Sequence, residues 1–167
     1  AFSTENWFRP KHEINALMEL LVATVQSEMD TLLKNDVKLT TIGQTGDLPD
    51  YCQKELNKAI DRTKDNQGLN LILALNYSGR WELVDAFKQM ALGLRNNEIQ
   101  PEEIDENLVQ QYLNTKNIPD PELLIRTSGE MRVSNFLLWQ IAYTELYITQ
   151  ILWKKKKKNH LYQAILD

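Results

Sequence analysis

The sequence predicts an α/β fold with a mostly parallel central sheet flanked by helices. Short apolar runs typical of strands alternate along the chain with longer segments whose apolar residues recur every three or four positions. Such alternation implies crossover connections, which join parallel strands and lay helices on the faces of the sheet. The length of 167 residues favours a single domain, because one domain typically takes roughly 100–200 residues.

The helices are predicted from apolar spacing and from start signals. Pro10 suits the first turn of a helix, and the apolar residues from Ile14 to Leu32 recur at helical spacing. This first helix is expected to end near Asn35-Asp36, and a second is expected to start at Pro49-Asp50. Further helical segments are expected after Ser78-Gly79, Gln100 and Asp105, from Phe136 to Ala142 and from His160 to Leu166.

The strands are predicted as short apolar or β-branched runs. The opening residues resemble the tail of a strand that enters a loop at Ser3, and the other expected strands are Val37–Ile42, Leu69–Leu75, Leu123–Arg126 and Glu145–Ile148. The run Leu69–Leu75 is apolar at nearly every position, which is typical of a strand covered on both faces.

Three polar clusters follow these strands. They are Ser3 to Arg9, Asn76 to Arg80 and Arg126 to Ser134. Because ligands of parallel sheets bind beyond the carboxyl ends of the strands, the clusters predict a binding site at one rim of the sheet. No Gly-x-Gly-x-x-Gly fingerprint or Walker A loop is present in the sequence, which argues against dinucleotide and P-loop nucleotide sites.

Charge and composition exclude several classes of protein. The net charge is −4, with 23 acidic and 19 basic residues, and five of the basic residues are consecutive at 154–158. The remaining body is acidic, which argues against nucleic acid as a partner. Cys52 is the only cysteine, so an internal disulfide or a cysteine-based metal cage is excluded. Without a spanning apolar run or a signal peptide, the sequence predicts a cytoplasmic protein.

The run Lys154–Lys158 leaves two interpretations open. A block of like charges is usually a solvated stretch of chain. The same block attracts anionic lipid by about 1 kcal/mol per residue, which predicts association with a membrane surface. The sequence alone does not decide between these interpretations.

The cluster that begins at Arg126 has the composition of a phosphate-binding loop. Two guanidinium groups, Arg126 and Arg132, lie six residues apart with hydroxyl groups and a glycine between them, and such groups match phosphate oxygens. If Ser134 caps a helix starting at Phe136, the helix N-terminus adds a favourable dipole. The alternative is an ordinary connecting loop whose arginines pair with Glu122 or Glu130.

Three motifs, in this order, resemble the signatures of the cis-prenyltransferase family. They are AFSTENWxRP at 1–10, NYSGR at 76–80 and RTSGExRxSNFLLWQ at 126–140. The resemblance extends from Ala1 to about Trp153 and implies a Rossmann-like cis-prenyltransferase fold. It also implies Mg²⁺-dependent cis-condensation of isopentenyl diphosphate onto an allylic diphosphate such as farnesyl diphosphate. The implied product is a long polyprenyl diphosphate such as undecaprenyl diphosphate, the lipid carrier for cell-wall synthesis. A homodimer and peripheral membrane contact through the product are implied as well.

The resemblance assigns roles to individual residues. The diphosphate of isopentenyl diphosphate is assigned to Arg126, Arg132, Val133 and Ser134, and Glu145 is assigned as a ligand of Mg²⁺. A solvated carboxylate at the edge of a strand is the alternative for Glu145. The loop around the reacting substrates is assigned to Ser3, Thr4, Glu5, Trp7 and Arg9, although Trp7 equally suits a core anchor.

Asn6 is the residue that the resemblance assigns to catalysis. A carboxamide is not basic near pH 7. We therefore expect Asn6 to position the C2 hydrogen or the diphosphate, with the proton leaving to a phosphate oxygen.

The sequence departs from the family pattern at both ends. The family's first strand and its Asp-Gly-Asn-Gly-Arg-Trp loop, which carries the catalytic aspartate, are expected before Ala1, and an Arg-rich tail is expected after Asp167. Residues 1–167 are therefore expected to be one cis-prenyltransferase domain truncated at both ends. Two alternatives remain, namely a noncatalytic subunit of a prenyltransferase complex and an unrelated phosphate-binding α/β enzyme.

Overall fold

A computed structural model describes residues 1–155 and 157–166. The chain divides into two compact units, Ala1–Ser78 and Gly79–Asp167. Every strand pair among the described residues is parallel. Along the chain, helices lie between and after the strands. The predicted α/β class with a parallel sheet and flanking helices is confirmed.

The first unit contains a three-stranded parallel sheet and two long helices. Its elements are β1 (Phe2–Ser3), α1 (Lys11–Lys34), β2 (Lys38–Ile42), α2 (Asp50–Thr63) and β3 (Asn70–Tyr77). The strand order is β1-β3-β2, with Phe2 opposite Leu75 and Leu39 opposite Leu71. The opening residues are thus a strand that enters a loop, as their composition predicts.

The core of the first unit lies where α1 packs against α2 and the sheet. Ile14, Met18, Val25 and Met29 are the buried residues of α1, and their spacing of four or seven residues keeps them on one face of the helix. At the end of α2, buried Thr63 accepts a hydrogen bond from the Leu39 amide at 3.1 Å, which joins the helix to β2.

Burial increases along β3 from one end to the other. Leu69, immediately before β3, and Leu71 within it are 67% and 37% exposed, whereas Ala74, Leu75 and Tyr77 are buried. The prediction that the whole run is covered on both faces is therefore wrong for its first half. The covered half is the carboxyl end, which places the best-packed part of the sheet beneath the loops that follow it.

The described residues of the second unit form a two-stranded parallel sheet and three α-helices. Its elements are α3 (Gly79–Arg95), α4 (Glu106–Tyr112), β4 (Leu123–Arg126), β5 (Glu145–Ile148) and α5 (Lys158–Leu166). The side chain of Asp105 accepts a hydrogen bond from the Leu108 amide at 2.8 Å and so caps α4. Among the described residues, no helix combines the length and apolarity needed to cross a bilayer.

The helix predicted from Phe136 to Ala142 does not form. This segment is a series of turns, and Ser134, Asn135 and Leu137 have φ values of 51°, 58° and 49°. An N-cap residue has extended backbone, so Ser134 caps no helix, and the predicted helix dipole is absent from the loop. The polar contacts of Asn135 and Gln140, described below, hold the turns in place although the apolar residues have helical spacing.

Candidate functional site

The loop after β1 is a short 3₁₀ helix, Thr4–Phe8, closed by Asn6. The side-chain oxygen of Asn6 accepts hydrogen bonds from the Ser3 amide at 2.8 Å and from the Ser3 hydroxyl at 3.0 Å. The oxygen is therefore engaged inside the loop, so the amide nitrogen is the part of the Asn6 side chain left to contact a ligand. A donor suits the binding of a phosphate oxygen and cannot accept a proton.

Trp7 anchors this loop to the sheet. Its indole nitrogen donates to the side-chain oxygen of Asn76 at 2.7 Å, and its ring packs edge-on against Phe2 with centroids 5.3 Å apart. Asn76, which is 2% exposed with a φ of 50°, in turn donates to the Gln44 carbonyl at 3.1 Å. The carboxyl ends of all three strands of the first sheet are thus joined through buried Asn76.

The charged residues of this loop lie at its surface. Arg9 forms an ion pair with Glu13 at 3.5 Å, one turn into α1, and the Thr4 hydroxyl donates to the Glu5 carboxylate at 3.3 Å. Such exposed pairs contribute little to stability, about 0–1 kcal/mol. The Arg9 guanidinium is therefore available to a ligand at small cost.

Arg126 is held at the carboxyl end of β4 without a partner for its inner nitrogen. Its Nε atom is buried and has no hydrogen-bond acceptor among the described residues. Neither Glu122 nor Glu130 forms an ion pair with it within the described part of the chain. A buried donor without an acceptor costs about 1–3 kcal/mol, so an oxyanion placed here would recover that free energy.

Arg132 has the environment that the alternative interpretation predicts. Its guanidinium pairs with Glu130 at 2.8 Å, and its side chain is 74% exposed. Val133 beside it is half-buried, and Ser134 is exposed. The loop therefore offers one half-buried arginine with a buried Nε and one surface guanidinium, and an anion would have to displace Glu130 to engage the second.

The backbone between these arginines is strained and pinned. The Ser128 amide donates to the Ile151 carbonyl at 3.1 Å, and the Gly129 amide donates to the Thr149 carbonyl at 2.9 Å. Positive φ angles occur at Ser128 and Gly129 between the arginines, and at Ser134, Asn135 and Leu137 after Arg132. Strain of this kind costs about 1–3 kcal/mol at each non-glycine residue and is typical of functional loops.

Asn135 attaches the same loop to the start of α3. Its carbonyl accepts from the Gly79 amide at 2.7 Å, and its side-chain oxygen accepts from the Arg80 amide at 2.9 Å. A Cβ atom on Gly79 would lie 2.8 Å from the Leu138 side chain, so this approach requires glycine. Gly79 and Arg80, the last two residues of the second motif, are thus in contact with the third motif through Asn135.

A buried polar network supports the loop from below, and the sequence prediction missed it. Glu82, 1% exposed, accepts hydrogen bonds from the Asn114 amide at 2.8 Å and from the Gln140 side chain at 3.0 Å. Gln140 also donates to the Thr115 hydroxyl at 2.7 Å. The signal that could have found it is a glutamine in an otherwise apolar run from Phe136 to Ala142.

Glu145 lies at the opposite end of the two-stranded sheet from Arg126. It opens β5 and faces Leu123, whereas Arg126 faces Ile148. Three residues of strand separate the two positions by roughly 10 Å. The structure therefore does not place Glu145 at the same strand ends as the arginine.

A cavity of about 550 Å³ adjoins Glu145. Glu122 is a second carboxylate in its lining, and the other lining residues are Leu123, Leu146, Tyr147, Ala164 and Ile165. Mg²⁺ is held in proteins by one or two carboxylates completed by substrate phosphates and water. The two carboxylates fit that donor chemistry, and among the described residues no group of three or more His, Cys, Asp or Glu side chains is arranged to hold a metal.

Comparison with known proteins gives consistent matches along the whole chain. The profile of the family described as "Putative undecaprenyl diphosphate synthase" matches residues 1–167. An isoprenyl transferase of Clostridium tetani is 52% identical over all of the chain and 66% of its own length. An isoprenyl transferase of Chlorobaculum tepidum is 48% identical over 99% of the chain and 63% of its own length. The chain thus spans less than two thirds of these relatives.

Two solved structures share the fold. The lavandulyl diphosphate synthase of Lavandula x intermedia, in complex with dimethylallyl diphosphate, matches 99% of the chain with a TM-score of 0.95 and 34% identity, over 72% of its own chain. A probable undecaprenyl diphosphate synthase of Campylobacter jejuni matches 99% of the chain with a TM-score of 0.87 and 32% identity, over 76% of its own chain. Because the family profile covers every residue, the chain belongs to the undecaprenyl diphosphate synthase family of prenyltransferases.

Proposed function

We propose that the protein transfers prenyl groups by cis-condensation of isopentenyl diphosphate onto an allylic diphosphate. Farnesyl diphosphate is the proposed allylic substrate, and undecaprenyl diphosphate, the lipid carrier for cell-wall synthesis, is the proposed product. Membership of the family and the name isoprenyl transferase carried by relatives support this reaction. We also propose that the protein acts as a cytoplasmic homodimer that meets the membrane through its product.

The observation that carries the proposal is the unpartnered Nε of Arg126 in a strained, pinned loop. A diphosphate oxygen would supply the missing acceptor, and the exposed Arg132 would close on the same group once Glu130 is displaced. Arginine donates in a planar fork that matches phosphate oxygens. Val133 and Ser134 complete this proposed site for isopentenyl diphosphate.

The loop that contains Asn6 is proposed to surround the reacting carbons. Because the Asn6 oxygen is engaged by Ser3, its amide nitrogen would hold a phosphate oxygen and so fix the terminal alkene carbon near the allylic C1. Holding two reactants in the geometry of attack is a large part of catalysis. Thr4, Glu5, Trp7 and Arg9 would line or support the same loop.

Glu145 is proposed to hold Mg²⁺, with Glu122 as a second ligand from the same cavity. The ion, when bound, would neutralise charge that develops on the leaving diphosphate. Glu145 lies roughly 10 Å along the strand from Arg126. Replacing it should therefore disturb the ion without disturbing the arginine site.

Calorimetric titration of isopentenyl diphosphate tests the arginine site. Arg126→Ala should weaken binding by about 2–4 kcal/mol, because one charge-assisted contact is lost. The matched control is Arg95→Ala, since Arg95 is an exposed arginine at the end of α3, and it should bind as the parent chain does. Unchanged affinity in Arg126→Ala would contradict the proposed site.

Steady-state transfer by the full-length protein tests the division of roles. Glu145→Gln should raise the Mg²⁺ concentration required for half-maximal transfer, whereas Arg126→Ala should raise the KM for isopentenyl diphosphate. The assay compares farnesyl and dimethylallyl diphosphate as allylic substrates, because one structural neighbour is solved with dimethylallyl diphosphate. Equal Mg²⁺ dependence in both variants would overturn the assignment of Glu145.

A further inference from the structure

We propose that the segment Leu152–Leu166, called here the basic segment, docks directly onto a bilayer surface that contains anionic lipid. This interaction is separate from any contact through a prenyl product and does not rest on the proposed transferase reaction. Three features of the segment carry the inference, namely its unpaired charge, the outward apolar face of α5 and its exposed aromatic side chains.

The charge of the basic segment is concentrated and unpaired. Lys154, Lys155, Lys157 and Lys158 are all exposed, and none of these four forms an ion pair in the part of the chain that the structure describes. The rest of the protein carries 14 basic and 23 acidic residues. A membrane of negative surface potential would therefore attract this segment and repel the acidic remainder of the protein. The protein would then approach the membrane with the basic segment first.

Helix α5 has two apolar faces, and only one of them is covered. Ala164 is buried at 4% exposure and lines the cavity beside β4 and β5. A second group is exposed by 42–81%, and at 100° per residue it lies within one continuous stripe on a different side of the helix. Its members are Leu161, Tyr162 and Leu166, together with Ile165, which is 63% exposed although it also lines the cavity.

The exposed aromatic residues flank the lysines. Trp153 precedes them and is 71% exposed, and Tyr162 follows them with 48% exposure. The ammonium of Lys158 lies 5.4 Å from the centre of the Tyr162 ring, so the charged and apolar groups share one surface. Trp and Tyr are enriched where a membrane meets water, because their rings are apolar and their tips polar.

These features together favour a lipid surface over another polyanion. A nucleic acid would engage the lysines but would leave the apolar stripe in water. A helix with a basic end and an apolar face instead lies in the plane of the interface, with the face buried about 5–10 Å deep.

Vesicle flotation of the 167-residue chain, with no substrate or product present, tests the proposal. The chain should float with vesicles of phosphatidylcholine containing 30 mol% phosphatidylglycerol and remain below with pure phosphatidylcholine. Binding should weaken as salt rises from 0.05 to 0.5 M, because screening shortens the reach of the charges. Replacing the five lysines at 154–158 with Gln should lower the partition coefficient at least a hundredfold, given about fivefold per lysine.

Matched variants separate this surface from general charge and apolarity. A control variant replaces five scattered exposed lysines with Gln and so changes the net charge by the same amount. It should float as the parent chain does. The five lysines are Lys11, Lys34, Lys54, Lys88 and Lys116. Leu161→Ser with Leu166→Ser should reduce flotation at least tenfold, whereas Leu20→Ser with Leu92→Ser, also exposed, should not.

Three outcomes would overturn the proposal. They are absence of flotation with the anionic vesicles, equal loss in the two lysine variants, and lysine-dependent binding of a single-stranded RNA without vesicle binding. Circular dichroism of each variant shows whether it is folded. Because no prenyl diphosphate is present, none of these outcomes bears on the proposed transferase.

Discussion

Arg126 and Arg132 carry the same charge but lie in different environments. Arg126 has a buried nitrogen without an acceptor, whereas Arg132 is exposed and paired with Glu130. The sequence could predict that both face a phosphate, because spacing and residue type are visible in it. It could not predict which is buried, because burial depends on how residues 149–151 return beside the loop.

Cys52 is a second residue whose environment decides its chemistry. Its thiol is fully buried in the core of the first unit, and burial raises its pKa, an effect only partly offset by a hydrogen bond with Tyr51. The folded-state pKa therefore lies above the unfolded-state value of about 8.5. The stability contributed by the protonated thiol is fully present below about pH 8.5 and is lost as pH rises through the folded-state pKa.

We predict that the free energy of unfolding of the parent chain falls more steeply above pH 9 than that of Cys52→Ala. Urea titrations at pH 7, 9 and 10 measure the difference. Cys52→Ala should itself cost about 1 kcal/mol at pH 7 from lost packing. The native thiol should also be unreactive toward a disulfide reagent at pH 8 and reactive in denaturant. Parallel pH profiles in the two proteins would show that Cys52 does not titrate as argued.

At the scale of elements, the loop after β4 depends on a glycine. Gly129 has a φ of 69°, and a Cβ atom there would collide with the side chain of Gln150. We predict that Gly129→Ala destabilises the chain by about 1–2 kcal/mol and weakens isopentenyl diphosphate binding, because the loop must move. Thermal unfolding and titration measure both effects.

Gly46→Ala is the control for this prediction. A Cβ atom on Gly46 meets nothing within 4 Å, and its φ is not positive. This substitution should be neutral or slightly stabilising, since alanine restricts the unfolded chain. Equal destabilisation by the two substitutions would show that the loop conformation at Gly129 is not required.

The network around Glu82 connects three separate segments of the second unit. We predict that Glu82→Ala lowers the free energy of unfolding by about 2–4 kcal/mol, because the Asn114 amide and the Gln140 side chain lose their acceptor. Glu82→Gln keeps one oxygen and should cost less. Urea denaturation measures both, and Glu28→Ala, an exposed glutamate in α1, should change stability by less than about 0.5 kcal/mol. If Glu82→Ala lowered the free energy of unfolding as little as Glu28→Ala does, Glu82 would not support the loop.

The elements themselves were largely predictable, and one failure has a physical cause. Helix α1 and strands β4 and β5 follow from local spacing and occur within two residues of the predicted bounds. The helix predicted at Phe136–Ala142 does not form, because tertiary contacts hold this segment in turns although its apolar residues have helical spacing. Asn135 caps α3 and Gln140 fills the Glu82 network, and neither contact is visible to a local pattern.

At the scale of the whole molecule, the segment Phe136–Ile151 has more apolar surface than its own unit covers. Tyr143 is fully exposed, and Leu146 and Ile148 are 56% and 40% exposed. A two-fold contact between copies would bury the same patch on both. The proposed homodimer therefore has a candidate interface.

We predict that the full-length protein sediments as a dimer at micromolar concentration. Tyr143→Glu should raise the dissociation constant at least tenfold, because the new charge would be buried in the contact, while Leu20→Glu, at an exposed position in α1, should not. Because Tyr143 is fully exposed, its replacement should leave folding intact. A monomer in the parent protein, or equal dissociation in both variants, would contradict this interface.

The hydrogen bonds that the Thr149 and Ile151 carbonyl groups accept from the loop have a consequence for changes in chain length. Residues 149–151 lie outside any helix or strand and would ordinarily tolerate insertions. Here their carbonyl groups are spaced to meet the Ser128 and Gly129 amides. One inserted residue would move one of these carbonyl groups by roughly 3.3 Å relative to the other. At least one of the two hydrogen bonds would then be broken. This short surface connection should therefore accept changes of side chain but not of length.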